Sequence, residues 1–278
     1  MELWSGEIGF SPLAVGLTAI LGLVVGSFLN VCIYRIPRKG SIASPKRSYC
    51  PHCKHSLSAL DNIPVLSYIF LRRGCRYCKG KISPRYITVE IITAGLFVLM
   101  LHRSIAIGHQ NFAYTALELV TTCIFVGLLI TISFIDLEFT IIPNKVVYPG
   151  LAVGLLLAVL HSDSRLILSR LLGAIIGGGV ILLIAIVGSI VFRKEAMGGG
   201  DVKLMAMIGM YIGLWPHIPI TLIAASCIGT MVGVVLILFR EKEMGSAVPF
   251  GPFLAIGALL SLLYGERLWN WYGHLIGL

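Results

Sequence analysis

Two aspartates, Asp136 and Asp201, stand where long apolar stretches meet polar sequence. Asp136 follows the apolar run 121–135, and Asp201 follows Gly198, Gly199 and Gly200 and opens another apolar stretch. A carboxylate at a membrane boundary is costly and therefore points to a function. Two of them, 65 residues apart in sequence, can meet in a helix bundle and share one proton. The ionised group then takes a proton from water while its protonated partner polarises a carbonyl, which is water-activating peptide hydrolysis. No serine, cysteine or histidine stands beside either aspartate to suggest a nucleophile and base instead. The glycines before Asp201 let backbone approach closely and admit an extended strand beside the carboxylate. Lys203 lies two residues after Asp201, points to another face of a helix, and is an orienter rather than a base. Glu138 is read as solvated or facing headgroups.

The second chemical feature is Cys50-Pro-His-Cys53, then 21 residues, then Cys75-Arg-Tyr-Cys78. Each CxxC pair forms a tight knuckle, and two knuckles complete a tetrahedral sulfur shell for zinc. A pair of disulfides would suit an oxidising compartment, and a redox CxxC would come once, in a βαβ setting. His52 and His55 could substitute as ligands but are read as bystanders. Cys32, Cys123 and Cys227 fall in apolar stretches and are read as small buried hydrophobes.

Composition dictates where these groups must be held. Hydrophobic residues make up 57% of the 278, charged residues only 13%, and mean hydropathy is +0.91. A soluble domain carries about 25% charged residues. The expected fold is an all-α polytopic membrane protein with about eight transmembrane helices, at 11–34, 86–101, 112–135, 146–160, 166–192, 202–214, 218–239 and 250–264. The second, fourth, sixth and eighth of these are short. The expected organisation is a first membrane helix at 1–34, a basic zinc-binding loop at 35–85, and a catalytic bundle at 86–278. The first segment lacks a basic start and runs on too long for a cleaved signal, so it is expected to be a retained anchor.

Charge sets the orientation. The loop 35–85 holds twelve of the 22 Lys and Arg but one acid, Asp61. With eight alternating spans, Lys145, Arg193, Lys194, Lys203, Arg240 and Lys242 fall on the same side, and Arg103, Arg165, Arg170 and Arg267 on the other. The positive-inside rule then makes the loop cytoplasmic and both termini periplasmic. It also delivers Asp136 and Asp201 to the same, cytoplasmic face. The net charge of +9 is thus mainly a topology signal; it calls for no nucleic acid, though a basic face suits anionic lipid.

Other residues have structural readings. Gly177, Gly178 and Gly179 allow close helix packing. Glu90, near the start of the second span, either pairs with a neighbouring helix or supports the site. His161 and His217 are structural residues of outer loops. Trp4, Trp215, Trp269 and Trp271 gather at the outer boundary as an aromatic belt.

The motifs GSFLNVCIYRIP at 26–37, the two CxxC pairs, DNIPVLSY at 61–68, SPRYITVE at 83–90, IDLEFTIIPN at 135–144, GGGDVKLMAMIG at 198–209 and VPFGPFLAIG at 248–257 together resemble the type IV prepilin leader peptidase family. The GxGD element alone also resembles presenilin-type intramembrane proteases. The resemblance implies an inner-membrane aspartic peptidase that cuts the leader of prepilins or pseudopilins, the subunits of type IV pili and type II secretion, after a glycine at the cytoplasmic face. It implies methylation of the new N-terminus with S-adenosylmethionine, Asp136 and Asp201 as the catalytic pair, and Cys50, Cys53, Cys75 and Cys78 as zinc ligands. The sequence marks no methyl-donor pocket. A proton-coupled transporter would keep its carboxylates near the midplane, and a noncatalytic scaffold with a zinc knuckle would leave the two aspartates without a role.

Overall fold

A computed structural model describes residues 11–44, 47–58, 60–107, 111–193, 197–239 and 248–276. Among them the chain is helical, with no strand and only two isolated β-bridges. The helices are α1 (Pro12–Arg35), α2 (Leu66–Phe70), α3 (Arg85–Ile107), α4 (Phe112–Phe139), α5 (Asn144–Leu160), α6 (Ser164–Phe192), α7 (Gly199–Ile212), α8 (His217–Leu238) and α9 (Gly251–Ile276). Eight of them cover the eight apolar segments, and α2 lies in the cysteine loop. By length and composition α1, α3, α4, α6 and α8 can each cross a membrane, and α5 is a shorter apolar helix. By these helices the chain is a multi-pass membrane protein. Trp4, Lys194, Arg240 and Lys242 lie outside the described residues.

α4 runs one turn past its apolar stretch, to Phe139, and two other helices run further still. α3 runs past His102 and Arg103 because Arg103 pairs with Glu118 of α4 at 2.7 Å, so its charge is neutralised along the helix. α9 runs past Glu266 and Arg267 and carries Trp269, Trp271 and Tyr272. The α7 helix does stay short, at 14 residues.

The chain forms two compact units, Met1–Ile130 and Thr131–Leu278. In the first, α1 packs along α3. Glycine makes the contact: a Cβ on Gly22 would fall 2.6 Å from Ala94 Cα, and one on Gly26 2.8 Å from Glu90 Cα. Asn30 Nδ2 donates to the Tyr86 carbonyl at 2.9 Å. Buried Arg35 closes α1 and donates to the carbonyls of Ser41 and Ile42, fixing the exit into the loop.

In the second unit α6 and α7 touch most closely, backbone to backbone where Gly173 meets Gly209. Small residues at such crossings let membrane helices approach and gain dispersion contacts. Gly177 lies against Ile218 and Gly178 against Ala206, where an added Cβ would stand 3.1 Å from each neighbour, whereas Gly179 faces open space. Asp163 caps α6, accepting from the Arg165 N–H at 2.9 Å. Trp215, just before α8, packs edge-on against Trp269 of α9 with centroids 4.5 Å apart. His161 is buried at the end of α5 and bonds the Leu157 carbonyl.

Candidate active site and cysteine cluster

Asp136 lies in the last turn of α4 and Asp201 in the first turn of α7; both are buried in the second unit. They are close enough for the charge of one to act on the other. The Asp136 carboxylate is held from a third element. Its Oδ2 accepts from the backbone N–H of Gly251, the first residue of α9, at 3.0 Å. Any side chain at Gly251 would collide with that oxygen, since a Cβ there would sit 2.7 Å away. Asp201 occupies the N-terminal turn of its own helix. Two helix N-termini, which favour negative charge, thus serve the two carboxylates, and α7 packs on α9.

The glycines before Asp201 differ in what they do. Gly198 caps α7 with extended backbone, and a Cβ there would stand 3.5 Å from Asp201 Oδ2, an ordinary contact. Gly200 is sterically constrained, because a Cβ would meet Ile142 at 2.8 Å. Lys203 turns away from its neighbour in sequence and donates to Asn144 Oδ1 at 3.1 Å, at the start of α5. Glu138 is exposed. Glu90 belongs to the first unit, where its buried carboxylate accepts from the Val65 N–H at 2.8 Å. Gly251 escaped the sequence reading. Its only signal was the FGPF step that opens an apolar stretch, and its functional group is a backbone N–H.

In the first unit the loop folds as two copies of one knuckle. The Lys54 N–H returns to the Cys50 carbonyl and the Cys50 N–H to His55; the Lys79 N–H returns to Cys75 and the Cys75 N–H to Gly80. Lys54 and Lys79 share left-handed φ values of 60° and 58°. Antiparallel bridges Tyr49–Ser56 and Gly74–Lys81 flank them in the same register. The knuckles face each other, so all four Sγ atoms lie within 4.8 Å of one another, with Cys50 and Cys78 3.8 Å apart. A tetrahedron with zinc–sulfur bonds of about 2.3 Å has an edge of about 3.8 Å, so the cluster fits a metal. The Cys78 N–H, against the opposing effect of burial, and then the Tyr77 N–H pull the Cys75 thiol down to about 7.

Asp61 braces this pair from the segment before α2. It accepts from Ser58 Oγ at 2.8 Å and from Arg76 Nε at 2.7 Å. Burial alone would raise its carboxyl; the bonds from Ser58 and Arg76 outweigh it and hold the group below the usual 3.8. His55 stacks on Tyr77 at 3.7 Å and stands outside the sulfur set.

The chain matches two family models: "Bacterial Peptidase A24 N-terminal domain" over residues 20–104 and "Type IV leader peptidase family" over residues 123–234. Among curated proteins it is 35% identical to a prepilin leader peptidase/N-methyltransferase of Aeromonas hydrophila, over 95% of each chain. It is 33% identical to one of Pseudomonas putida over the whole of both chains. It is 40% identical to one of Myxococcus xanthus over 82% of this chain and 65% of that one. No solved structure matches.

Proposed function

Because the chain belongs to the type IV leader peptidase family, we propose that it is the aspartic endopeptidase that removes the leader of type IV prepilins or pseudopilins after a glycine, and that it then methylates the new N-terminus. The observation that carries this reading is the pair of buried carboxylates, Asp136 and Asp201, on different helices within electrostatic reach. One takes a proton from water and the other, protonated, polarises the scissile carbonyl. Gly251 aims Asp136 through its N–H, Gly200 lets Ile142 pack beside Asp201, and Gly198 leaves room for an extended substrate backbone. Lys203 orients the turn through Asn144, and Glu90 supports the cysteine loop.

The basic loop faces the cytoplasm in this reading and both termini the periplasm, by the positive-inside rule. The substrate's apolar helix stays in the membrane, and its leader meets the aspartates at the cytoplasmic boundary. Zinc is the metal that Cys50, Cys53, Cys75 and Cys78 would hold, a closed thiolate set that cross-links the two knuckles and contributes folding energy. The methyl donor, S-adenosylmethionine, is a substrate of the second reaction. Prepilins and membrane lipids are the partners; nucleic acid is not one. A transporter is not favoured, since its carboxylates would line a path between both faces.

The test is to incubate purified protein with a prepilin. A mass loss equal to the leader is expected, followed by gain of one methyl group when S-adenosylmethionine is added. An uncut substrate would overturn the peptidase reading; a cut but unmethylated one would remove the second activity.

A further inference from the structure

We infer that α2 and its flanks form an interfacial docking element that takes the headgroup of an anionic phospholipid in the groove between α2 and α3. The inference rests on the membrane reading above and, for the leaflet, on the loop facing the cytoplasm. Its first support is depth. Glu90 lies inside the α1–α3 crossing, against Gly26, five residues beyond Arg85, or about 7.5 Å along the helix at about 1.5 Å per residue. Its carboxylate accepts from the N–H of Val65, the N-cap of α2. Val65 has a φ of 62°, a conformation that a β-branched residue rarely adopts. The bond therefore holds α2 alongside the first turns of a membrane-spanning helix, at the level of the headgroups.

The second support is the surface held there. Leu66, Ile69 and Phe70, at i, i+3 and i+4, share one helix face and are 50%, 59% and 79% exposed. Such a face in water is unfavourable; beside a bilayer it enters the acyl boundary. The third support is charge. An open groove between the elements is lined by Tyr68, Ile69 and Ile87 with Arg72 and Arg73. Both arginines are exposed, and left-handed φ values of 50° and 63° turn the chain sharply at them. The only acid in the loop, Asp61, is engaged by Ser58 and Arg76. Two guanidiniums beside apolar walls, continuous with a membrane span, match a phosphate joined to an acyl chain. The same charges disfavour a basic peptide.

The test uses the full-length protein in lipid nanodiscs. Phe70→Trp adds one tryptophan to a loop that has none, and its emission is taken as the difference from the parent protein. Loss of most of that added emission with brominated phospholipid, but not with aqueous iodide, is expected. Quenching by iodide alone would overturn the inference. Shielding from both would too, since a second copy or another protein would then cover the face. In nanodiscs of mixed phosphatidylglycerol and phosphatidylcholine, native mass spectrometry should find phosphatidylglycerol retained by the parent and lost from Arg72→Gln/Arg73→Gln. Equal retention by both would overturn the headgroup site. Neither readout measures cleavage, so failure here leaves the peptidase reading standing, and prepilin cleavage in the same nanodiscs tests that separately.

Discussion

Asp136 is aimed by a group that carries no side chain. Replacing Gly251 with Ala would push a methyl into Oδ2, where only 2.7 Å is available, and displace the carboxylate. A shift of about 1 Å at a reacting group can cost about 100-fold, so Gly251→Ala should lower kcat strongly and leave KM for prepilin nearly unchanged. A loss expressed in KM alone would remove Gly251 from the positioning role. Asp136→Asn and Asp201→Asn should each lower cleavage by about 1000-fold or more, within and beyond the range of a single acid or base group. If the two act as a unit, the double variant should be hardly worse than either single one. Exposed Glu138 is the control, and Glu138→Gln should keep substantial activity; normal cleavage by either Asn variant would end the aspartic mechanism. Sequence made the aspartates legible because a carboxylate at a membrane boundary is conspicuous whatever surrounds it. Gly251 was not legible, since it lies 115 residues from Asp136 and contributes only a peptide N–H.

At the scale of elements, the two knuckles depend on one another. The repeated hydrogen bonds shape each CxxC, and the four sulfurs, the Asp61 brace and the His55–Tyr77 ring contact join the pair. Purified protein should therefore contain about one zinc per chain, by elemental analysis. Cys50→Ser should lose the metal and raise amide exchange in residues 47–58 and 73–82 while sparing α5 to α9. Zinc content unchanged in Cys50→Ser would remove that sulfur from the site. Asp61→Asn should loosen the loop in the same assay with milder metal loss. The sign of its pH dependence follows from a carboxyl held below 3.8: the brace is fully present above about pH 4 and is lost as pH falls through its lowered value. The CxxC spacing exposed the metal cluster in the sequence, because sulfur ligands come in local pairs. The brace stayed hidden, since Asp61 and Arg76 are 15 residues apart across a loop without periodicity. The true end of α3 was hidden for the same reason: the charge that seemed to stop it is cancelled by Glu118 on the next helix.

For the whole molecule, the prediction is topological. Labelling of single cysteines after residues 60, 105 and 163 should report cytoplasm, periplasm and periplasm, as the basic loop requires. An external signal at residue 60 would invert the arrangement and strand the aspartates on the wrong face. Helix number and order were readable from hydropathy, as expected where every backbone polar group must be satisfied within a helix. Helix pairing was less so. The crossing of Gly173 and Gly209 involves two glycines among 31, and only their backbones meet.

The 14-residue α7 is about 21 Å long at about 1.5 Å per residue, against about 30 Å of hydrocarbon in a typical bilayer. It begins at the Asp201 turn and ends just before Trp215, which packs on Trp269. If that tryptophan pair marks the outer interface, hydrophobic mismatch leaves Asp201 some way short of the opposite one. The bilayer must then thin locally, or water must descend to meet the carboxylates. On that placement, vesicles of shorter-chain lipids should support faster prepilin cleavage than long-chain ones; equal rates would remove the mismatch.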